Sequence, residues 1–247
     1  MSASTAHVND RGGNAAWNSG IAWLVYLAFA TVVIHLLVGN RYGFHRDELQ
    51  TLEDARYLDW GFVAYPPVTA LFARLSLTLF ATSVVGFRLL ASLANAASIV
   101  ITGLIAGEMG GGRKAQLAAA LAATPFCLIA GSMMQYVSFD YLWWVLIAYF
   151  VVSLVRSDDP RWWVAIGATI VVGMETKYTM GVFALAVAVG TVLTPLRKHL
   201  RSKWLWIGVA LSLLIFLPNA LWQWHNHFVS LDFLQHIHKR DIRIGRT

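Results

Sequence analysis

Charged residues are scarce in this chain. Asp, Glu, Lys and Arg together make up only 13% of its 247 residues, whereas hydrophobic residues make up 57%. A soluble domain carries roughly 25% charged residues, so the composition excludes a soluble globular fold and predicts an integral membrane protein. The 11 tryptophans agree with this prediction, because indole rings favour the headgroup depth of a bilayer.

Cysteine is almost absent, and this limits what the sequence says about redox chemistry and metals. The single Cys127 lies in an apolar run and cannot form an internal disulfide, so it gives no information about redox compartment. Two His-x-His pairs near the C terminus lack a cysteine partner and the i, i+4 spacing of a helical metal site. Metal binding is therefore the weaker interpretation of these pairs, which are His225 with His227 and His236 with His238.

Apolar runs between residues 21 and 222 predict an all-α fold, a polytopic membrane bundle. A spanning helix needs about 20 apolar residues, and about seven runs approach that length. The apolar run 68–82 follows two prolines and contains Arg74, so we expect it to be an interfacial helix in an extracytoplasmic loop. The predicted spans are 21–39, 84–107, 117–133, 141–155, 162–175, 178–194 and 204–222.

The two ends of the chain are polar. Residues 1–20 contain Gly, Ser and Asn and are predicted to be a disordered cytoplasmic tail. Residues 21–222 form the transmembrane domain, and residues 223–247 are predicted to be a polar extracytoplasmic tail.

The apolar segment 162–194 could be one helix or two. A single helix would run about 50 Å, well beyond a hydrocarbon core of roughly 30 Å. Two spans would place three short basic loops on one side of the membrane, which the positive-inside rule assigns to the cytoplasm. We therefore predict two spans. We attribute the formal net charge of +6 to the basic loops between the spans. Those loops contain Arg113, Lys114, Arg156, Arg161, Arg197, Lys198, Arg201 and Lys203.

This topology brings polar segments from distant parts of the sequence to one membrane surface. The Asp47-Glu48 pair, the turn before Asp140, the turn Glu175–Lys177 and the His-rich tail all fall on the extracytoplasmic side. Placing carboxylates near a bilayer is energetically unfavourable. Solvation of the loops alone would not explain why these polar segments lie together. The arrangement therefore predicts a functional site on that surface.

Each candidate residue also has a structural interpretation. Asp47 could be a helix N-cap, because Gln50 follows three residues later as in a capping box. Asp140 could cap its own span, and Lys177 could simply snorkel to the membrane edge. Arg88 is either a snorkelling anchor or a phosphate ligand. The acidic and basic residues after Gln50 predict the solvated face of a short helix; they are Glu53, Asp54, Arg56 and Asp59.

The order of these motifs resembles a known family. The run Arg41–Glu48 ends in Asp-Glu, the loop closes on Tyr65-Pro66-Pro67, and Arg88 lies near the start of the second span. This pattern is similar to the GT-C class of polyprenyl-phosphate-sugar-dependent glycosyltransferases, of the protein mannosyltransferase and aminoarabinose-transferase type. Further similar positions are Pro125, Asp140, Thr176-Lys177 and the run from Pro218 to Phe228.

The resemblance implies transfer of a sugar from undecaprenyl or dolichyl phosphate on the outer face of the cell (inner) membrane. A lipid phosphate is a good leaving group. The sugar transfer therefore requires only one base toward the acceptor and positive charge near the phosphate. By resemblance Asp47 is the base, Glu48 supports it or helps to hold a divalent cation, and a single displacement inverts the anomeric centre. The implied substrate-binding residues are Arg46, Tyr65, Arg88, Asp140 and Lys177, with Arg88 and Lys177 on the phosphate.

Two departures from the family pattern change the expectations. Ala64-Tyr65 stands where aminoarabinose-type relatives have Glu-Lys, which argues against the same donor sugar. Relatives usually have 11 or more spans, so the chain is expected to be a truncated form or half of a split enzyme whose second chain supplies the C-terminal part. The acceptor is a lipid, glycan or protein.

A transporter or flippase subunit, or a non-catalytic scaffold of the same fold, is the alternative function. Transport would place charges near the bilayer midplane on broken helices. Lys177 would be at that depth only if residues 162–194 formed one broken helix, so its location distinguishes the two functions.

Overall fold

The computed structural model describes residues 6–245, and side chains from residue 20 onward. This part of the chain contains helices and no strand, which confirms the predicted all-α class. The α-helices are α1 (Ala6–Val38), α2 (Arg46–Arg56), α3 (Val68–Phe80), α4 (Val84–Glu108), α5 (Arg113–Ala130), α6 (Tyr136–Ser157), α7 (Trp162–Met174), α8 (Met180–Leu193), α9 (Lys203–His225) and α10 (Val229–Arg243). A 3-10 helix, Pro195–Arg201, lies between α8 and α9.

Helix α4 is at the centre of the bundle and packs against α1, α5 and α6. Small residues permit these close contacts, as is common between helices in membranes. A Cβ atom added at Gly103 of α4 would lie 2.4 Å from the Leu24 side chain of α1. Helices α7 and α9 meet in the same way, since a Cβ at Gly167 would lie 2.4 Å from the carbonyl oxygen of Gly208.

The prediction of seven spans is wrong. Within the described residues, four helices are long and apolar enough to cross a membrane. Helix α8 and the following 3-10 helix give a fifth if that pair, bent by 99°, is counted as one span. Helices α7 and α8 contain 13 and 14 residues, about 20 Å each, which is short of a hydrocarbon core. Helix α5 begins with Arg113, Lys114 and Gln116, and this polar first turn lowers its hydropathy.

The segment 162–194 consists of two helices, as predicted from the loop charges. Helix α7 ends at Met174 and α8 begins at Met180, so Lys177 lies in the turn that joins them. The chain therefore does not form a single broken helix with Lys177 at its middle. That arrangement was the one expected of the transporter alternative. Residues 68–80 form a separate short helix, α3, close to the predicted range of 68–82.

Ion pairs join the helix ends on the side of the bundle opposite α2. Arg156 at the end of α6 donates to Glu108 at the end of α4 over 2.6 Å. Asp158 accepts from Lys198 over 2.5 Å and lies 3.1 Å from His199, both in the 3-10 helix. The predicted basic loops therefore meet at one end of the bundle.

The terminal segments were both predicted to be tails. Residues 1–5 lie outside the described part of the chain; for 6–19 only the helical backbone of α1 is described. At the other end, α9 continues to His225 and α10 covers Val229–Arg243, so helix occupies most of the segment predicted as a polar tail.

Candidate functional site

Helix α2 begins with a capping box made by His45 and Glu48. The His45 N–H donates to Glu48 Oε2 over 2.9 Å, and the Asp47 N–H donates to His45 Nδ1 over 3.2 Å. His45 is therefore the N-cap, and the alternative in which Asp47 caps the helix with Gln50 is wrong. Asp47 and Glu48 lie in the first turn, where negative charge is favourable because of the helix dipole.

Glu48 is fully buried and paired with Arg88 of α4. The Arg88 Nε donates to Glu48 Oε1 over 2.8 Å and Nη2 donates to Oε2 over 2.5 Å. The Met134 N–H adds a hydrogen bond of 3.0 Å to Oε1. Burial opposes ionisation of the Glu48 carboxyl, but the hydrogen bonds from Arg88, His45 and Met134 outweigh it and hold its pKa below the usual value. Glu48 thus fixes α2 to the bundle.

Arg88 has no N–H group left for a substrate. A guanidinium carries five N–H donors, and those that do not reach Glu48 donate to the carbonyl oxygens of Gly39, Tyr42 and Gly43 over 2.7, 3.5 and 2.9 Å. The two roles expected of Arg88 were a snorkelling anchor and a phosphate ligand. In the structure it instead holds the 39–43 loop and α2 against α4.

The Asp47 carboxylate, in contrast, is half-exposed and weakly paired. The basic groups within 4 Å of it among the described side chains are Arg46 Nε at 3.4 Å and His45 Nδ1 at 3.8 Å, and both side chains are themselves exposed. Adjacent residues on a helix point roughly 100° apart, which explains why Glu48 is inside and Asp47 outside. The Asp47 carboxylate is therefore available to a substrate.

Asp47 lines a cavity of about 390 Å³ together with Lys177. We call it the Asp47 cavity. Five parts of the chain form its walls: α2, the Ala64–Pro66 segment, the start of α6, the turn between α7 and α8, and α10. Its lining residues are Asp47, Gln50, Thr51, Ala64, Tyr65, Pro66, Gln135, Tyr136, Lys177, Tyr178, Thr179, Ser230, Phe233, Leu234 and Ile237.

Lys177 is held over the ring of Tyr136. Its Nζ lies 5.0 Å from the ring centroid and 3.7 Å from Oδ2 of Asp140. Asp140 also accepts a hydrogen bond of 3.1 Å from the indole N–H of Trp144. A cation over an aromatic face is attracted by the ring quadrupole, so Tyr136 and Asp140 orient the ammonium group. Lys177 remains about one-third exposed and accessible to an anion.

Tyr65 is buried and contributes its ring to the Asp47 cavity. The ring centroid lies 6.0 Å from that of Tyr136, and the hydroxyl donates to Asp54 Oδ2. Gln50 donates to the other oxygen of Asp54 over 2.9 Å. Burial raises the pKa of Asp54, although the hydrogen bonds from Tyr65 and Gln50 act in the opposite direction. Asp54 is thus hydrogen-bonded to the buried Tyr65 as well as being part of the helix face on which it was expected.

Helix α10 forms one wall of the Asp47 cavity, and the end of α9 is hydrogen-bonded to the start of α10 and to the loop after α2. The Gln223 amide donates to Tyr178 Oη and Ser230 Oγ, each over 2.7 Å, and Ser230 donates to the Phe62 carbonyl oxygen over 3.0 Å. Two further bonds of 2.7 Å, Asn219 to the Trp60 carbonyl and Trp222 to Asp59, hold the same loop. The Pro218–Phe228 run and the expected placement of the His-rich tail on this surface both pointed to the contact, whereas a helix over residues 229–243 was not predicted.

Glu175, next to the Lys177 turn, is a second unexpected feature. Its side chain is 5% exposed, and neither carboxylate oxygen has a hydrogen-bond partner among the described residues. Burial raises its pKa to about 8, so the carboxyl is predominantly protonated at neutral pH. Its carbonyl oxygen accepts from the Val68 N–H over 2.9 Å, which ties the turn to the start of α3.

The predicted site residues therefore separate into two groups. One group surrounds the cavity: Asp47, Tyr65 and Lys177 line it, Asp140 contacts Lys177, and Arg46 lies beside Asp47. The other group is the buried pair of Glu48 and Arg88. Within residues 20–245, no three His, Cys, Asp or Glu side chains come together as a metal site. The occupied Glu48 oxygens do not fit the divalent cation proposed for the Asp-Glu pair, which would require several oxygen ligands.

Comparison with known proteins finds a family model that matches this sequence. The model of the dolichyl-phosphate-mannose-protein mannosyltransferase family matches residues 64–222, which is more than half of the chain. Tyr65, Arg88, Asp140 and Lys177 lie within the matched residues, whereas Asp47 and α10 lie outside them. No curated protein and no solved structure matches the chain.

Proposed function

Since this chain belongs to the dolichyl-phosphate-mannose-protein mannosyltransferase family, we propose that it transfers a sugar from a polyprenyl-phosphate carrier to an acceptor hydroxyl, with Asp47 as the general base. The family supports a multi-pass membrane glycosyltransferase that uses a lipid-phosphate-linked sugar. The base, the stereochemistry and the side of the membrane are our proposals.

One observation supports the role of Asp47 most directly. Its carboxylate and the ammonium group of Lys177 line the same cavity, and the carboxylate has only weak contacts with exposed neighbours. Glu48, the other carboxylate of the pair, is buried and has its oxygens occupied. The described lining of the Asp47 cavity therefore offers one carboxylate and one ammonium group.

The proposed reaction is a single displacement. Asp47 takes the proton of the acceptor hydroxyl as its oxygen forms a bond to the anomeric carbon. The bond from that carbon to the phosphate oxygen breaks, and the electron pair leaves with the polyprenyl phosphate. Lys177, oriented by Asp140 and Tyr136, stabilises the charge that develops on the phosphate. One displacement inverts the anomeric configuration, unlike a two-step retaining mechanism.

The remaining predicted residues have supporting roles in this proposal. Glu48 and Arg88 position the helix that carries Asp47, because their ion pair joins α2 to α4. Tyr65 shapes the cavity through its ring, and Arg46 provides a second exposed cation beside Asp47. We assign the carrier phosphate to Lys177 and not to Arg88, whose N–H groups all have acceptors within the chain.

We also propose that the Asp47 cavity opens on the extracytoplasmic side of the cell membrane. The basic residues of the short loops gather at the opposite end of the bundle, where Arg156, Lys198 and His199 contact acidic partners. The positive-inside rule assigns such loops to the cytoplasm.

A transfer assay with matched variants tests the proposal. Membranes containing the chain are given a panel of labelled polyprenyl-phosphate sugars, and the product is analysed for anomeric configuration. Asp47→Asn should lower the turnover rate by about 10²–10⁴-fold, the usual contribution of a general base. Asp232→Asn is the control, because Asp232 is an exposed aspartate of α10 that does not line the cavity. Equal turnover in the Asp47 variant, or a retained configuration, would contradict the mechanism.

A further inference from the structure

A larger cavity adjoins the Asp47 cavity along α2. It has a volume of about 960 Å³, at the upper end of the roughly 300–1,000 Å³ typical of small-molecule sites. We call it the acidic cavity, because carboxylates from α2 and from the loop after it line its walls. Its lining residues are Arg46, Asp47, Leu49, Gln50, Glu53, Asp54, Tyr57, Asp59, Gly61, Phe62, Val63, Ala64, Trp222 and Phe233.

Asp47 belongs to both cavities. Four residues line the Asp47 cavity and the acidic cavity alike, and they are Asp47, Gln50, Ala64 and Phe233. The two cavities therefore meet at these side chains, and a molecule in either one can contact the Asp47 carboxylate. Lys177, in contrast, lines the Asp47 cavity but not the acidic cavity.

This arrangement suits a displacement with inversion. The acceptor oxygen must attack the face of the sugar opposite the leaving group, and the base must lie on the side of the acceptor. With the carrier phosphate at Lys177, a sugar in the Asp47 cavity has its leaving group on the side away from the acidic cavity. An acceptor in the acidic cavity can then reach Asp47 without displacing the donor.

Negative charge predominates in the lining of the acidic cavity. It contains four carboxylates, and Arg46 is the one Lys or Arg among the described lining residues. The Arg46 Nε lies 3.4 Å from the Asp47 carboxylate. Arg56, which is outside the lining, lies 3.6 Å from the Glu53 carboxylate. Two of the four carboxylates thus have a guanidinium neighbour.

The other two carboxylates, Asp54 and Asp59, have no positively charged neighbour. None of the ion pairs among the described side chains involves either of them. Asp59 accepts a hydrogen bond of 2.7 Å from the Trp60 N–H and another of 2.7 Å from the Trp222 indole. These neutral donors hold the carboxylate in place without compensating its charge. A carboxylate has about four acceptor positions, so it can still bind a cation.

The chemistry of this lining selects the charge of its ligand. The uncompensated carboxylates repel a phosphate, which keeps the donor in the Asp47 cavity with Lys177, and they attract a cation. The aromatic rings of Tyr57, Phe62 and Trp222 also line the acidic cavity, and aromatic faces attract cations as well. We infer that the acidic cavity binds the acceptor, and that this acceptor carries an ammonium or guanidinium group close to its reacting hydroxyl.

This inference rests on the proposed function and specifies the chemical class of its acceptor. The acceptor hydroxyl loses its proton to Asp47, its oxygen forms the bond to the anomeric carbon, and the bond from that carbon to the carrier phosphate breaks. The positive group of the acceptor stays beside Asp54 and Asp59 and is not consumed. An acceptor with a phosphate or carboxylate next to its hydroxyl would meet like charge and is disfavoured.

Equilibrium binding to the full chain in detergent, with no sugar donor present, tests the inference. The probe is a dansyl-labelled peptide with one serine between two lysines, and the matched probe has glutamates in place of the lysines. We expect the lysine peptide to bind at least about tenfold more tightly, because the cavity favours positive charge. The difference should shrink at about 1 M salt, where the Debye length is about 3 Å.

Matched substitutions locate the binding. Leu49 is 51% exposed and lines the acidic cavity, so Leu49→Lys adds a cation there without removing a carboxylate. It should weaken binding of the lysine peptide by about tenfold, and Asp59→Asn should weaken it in the same direction. Met109→Lys makes a similar change at a position that is 74% exposed at the opposite end of the bundle, and should leave binding unchanged. Thermal unfolding of each variant checks that the fold is retained.

Competition distinguishes two sources of the positive group. Glucosamine carries an ammonium group, which is acetylated and neutral in N-acetylglucosamine. Displacement of the lysine peptide by glucosamine alone would support the inference with an amino sugar as the acceptor. Displacement by neither sugar, with charge-selective peptide binding, would support it with a basic peptide. Equal displacement by both sugars would overturn the charge requirement.

Two further results would overturn the inference. One is equal binding of the lysine and glutamate peptides, and the other is binding that Leu49→Lys does not weaken. Equal sugar transfer to basic and acidic hydroxyl acceptors would also contradict it, while the proposed function would stand. If the lysine peptide binds as expected but no donor of the panel supports transfer, the proposed function fails and the cation site stands.

Discussion

Glu48 and Arg88, forty positions apart in the sequence, form a buried ion pair through two hydrogen bonds of 2.5 and 2.8 Å. The pair joins the first turn of α2 to the first turns of α4 and also receives the Met134 N–H. It therefore determines where α2 lies, and with it the direction of the neighbouring Asp47 side chain. The sequence suggested Asp47 and Glu48 as two catalytic candidates. In the structure Glu48 supports the helix, and Asp47 is the available carboxylate.

Removal of one partner should destabilise the protein strongly. A buried charge left without its partner costs about 3–5 kcal/mol, so Glu48→Gln and Arg88→Met should each lower the thermal unfolding temperature in detergent. The double variant should recover part of the loss, because it leaves no unpaired buried charge. Single variants with native stability, or a double variant with the sum of both losses, would show that the pair does not have this role.

Lys177 should act on the carrier phosphate. Lys177→Met removes the one ammonium group among the described residues that line the Asp47 cavity and should lower kcat/KM for the donor by about 10²-fold. It should also weaken inhibition by free polyprenyl phosphate, while Lys177→Arg retains part of both. Lys203→Met is the control, since Lys203 lies 5.3 Å over the Trp204 ring at the other end of the bundle. An unchanged inhibition constant in Lys177→Met would remove Lys177 from the phosphate site.

The sequence predicted the membrane class, the break between α7 and α8, and one surface shared by Asp47, Asp140 and Lys177. These features depend on composition and local charge, which are visible along the chain. The division of roles between Asp47 and Glu48 could not be predicted in this way, because it depends on Arg88 and Met134, which are distant in sequence. The span count was wrong because α7 and α8, which form close to their predicted bounds, are too short to cross a hydrocarbon core, and because α5 has a polar first turn.

Helix α10 was missed for a different reason. Its charged and histidine residues lower the average hydropathy, so composition suggested a tail. Its apolar residues Phe233, Leu234 and Ile237 nevertheless recur at i, i+1 and i+4, and all three line the Asp47 cavity. This spacing is the signature of one helical face, and it was the available signal for a helix that covers the site.

Glu175 should make stability depend on pH. Burial raises its pKa from an ordinary 4.5 to about 8 in the folded protein, so between these pH values the folded state keeps a proton that the unfolded state releases. The contribution of Glu175 to stability is therefore complete below about pH 4.5 and is lost as the pH rises to about 8, by at most about 1.4 kcal/mol per pH unit. Glu175→Gln, which cannot ionise, should flatten the decline of the unfolding temperature between pH 5 and about 8. An unchanged slope in that variant would mean that Glu175 is ionised or solvated in the fold.

Cysteine labelling should establish the side of the membrane on which the Asp47 cavity opens. The native Cys127 is fully buried, so it contributes little background, and a cysteine introduced at an exposed position reports on that position alone. Tyr57 follows α2 beside the site and is 73% exposed, whereas Met109 follows α4 at the opposite end and is 74% exposed. A membrane-impermeant maleimide added to intact cells should label Tyr57→Cys and spare Met109→Cys. Permeabilised cells should give labelling of both, which controls for reactivity. The reverse pattern in intact cells would place the cavity in the cytoplasm, and the sugar donor would then have to be presented on the inner leaflet.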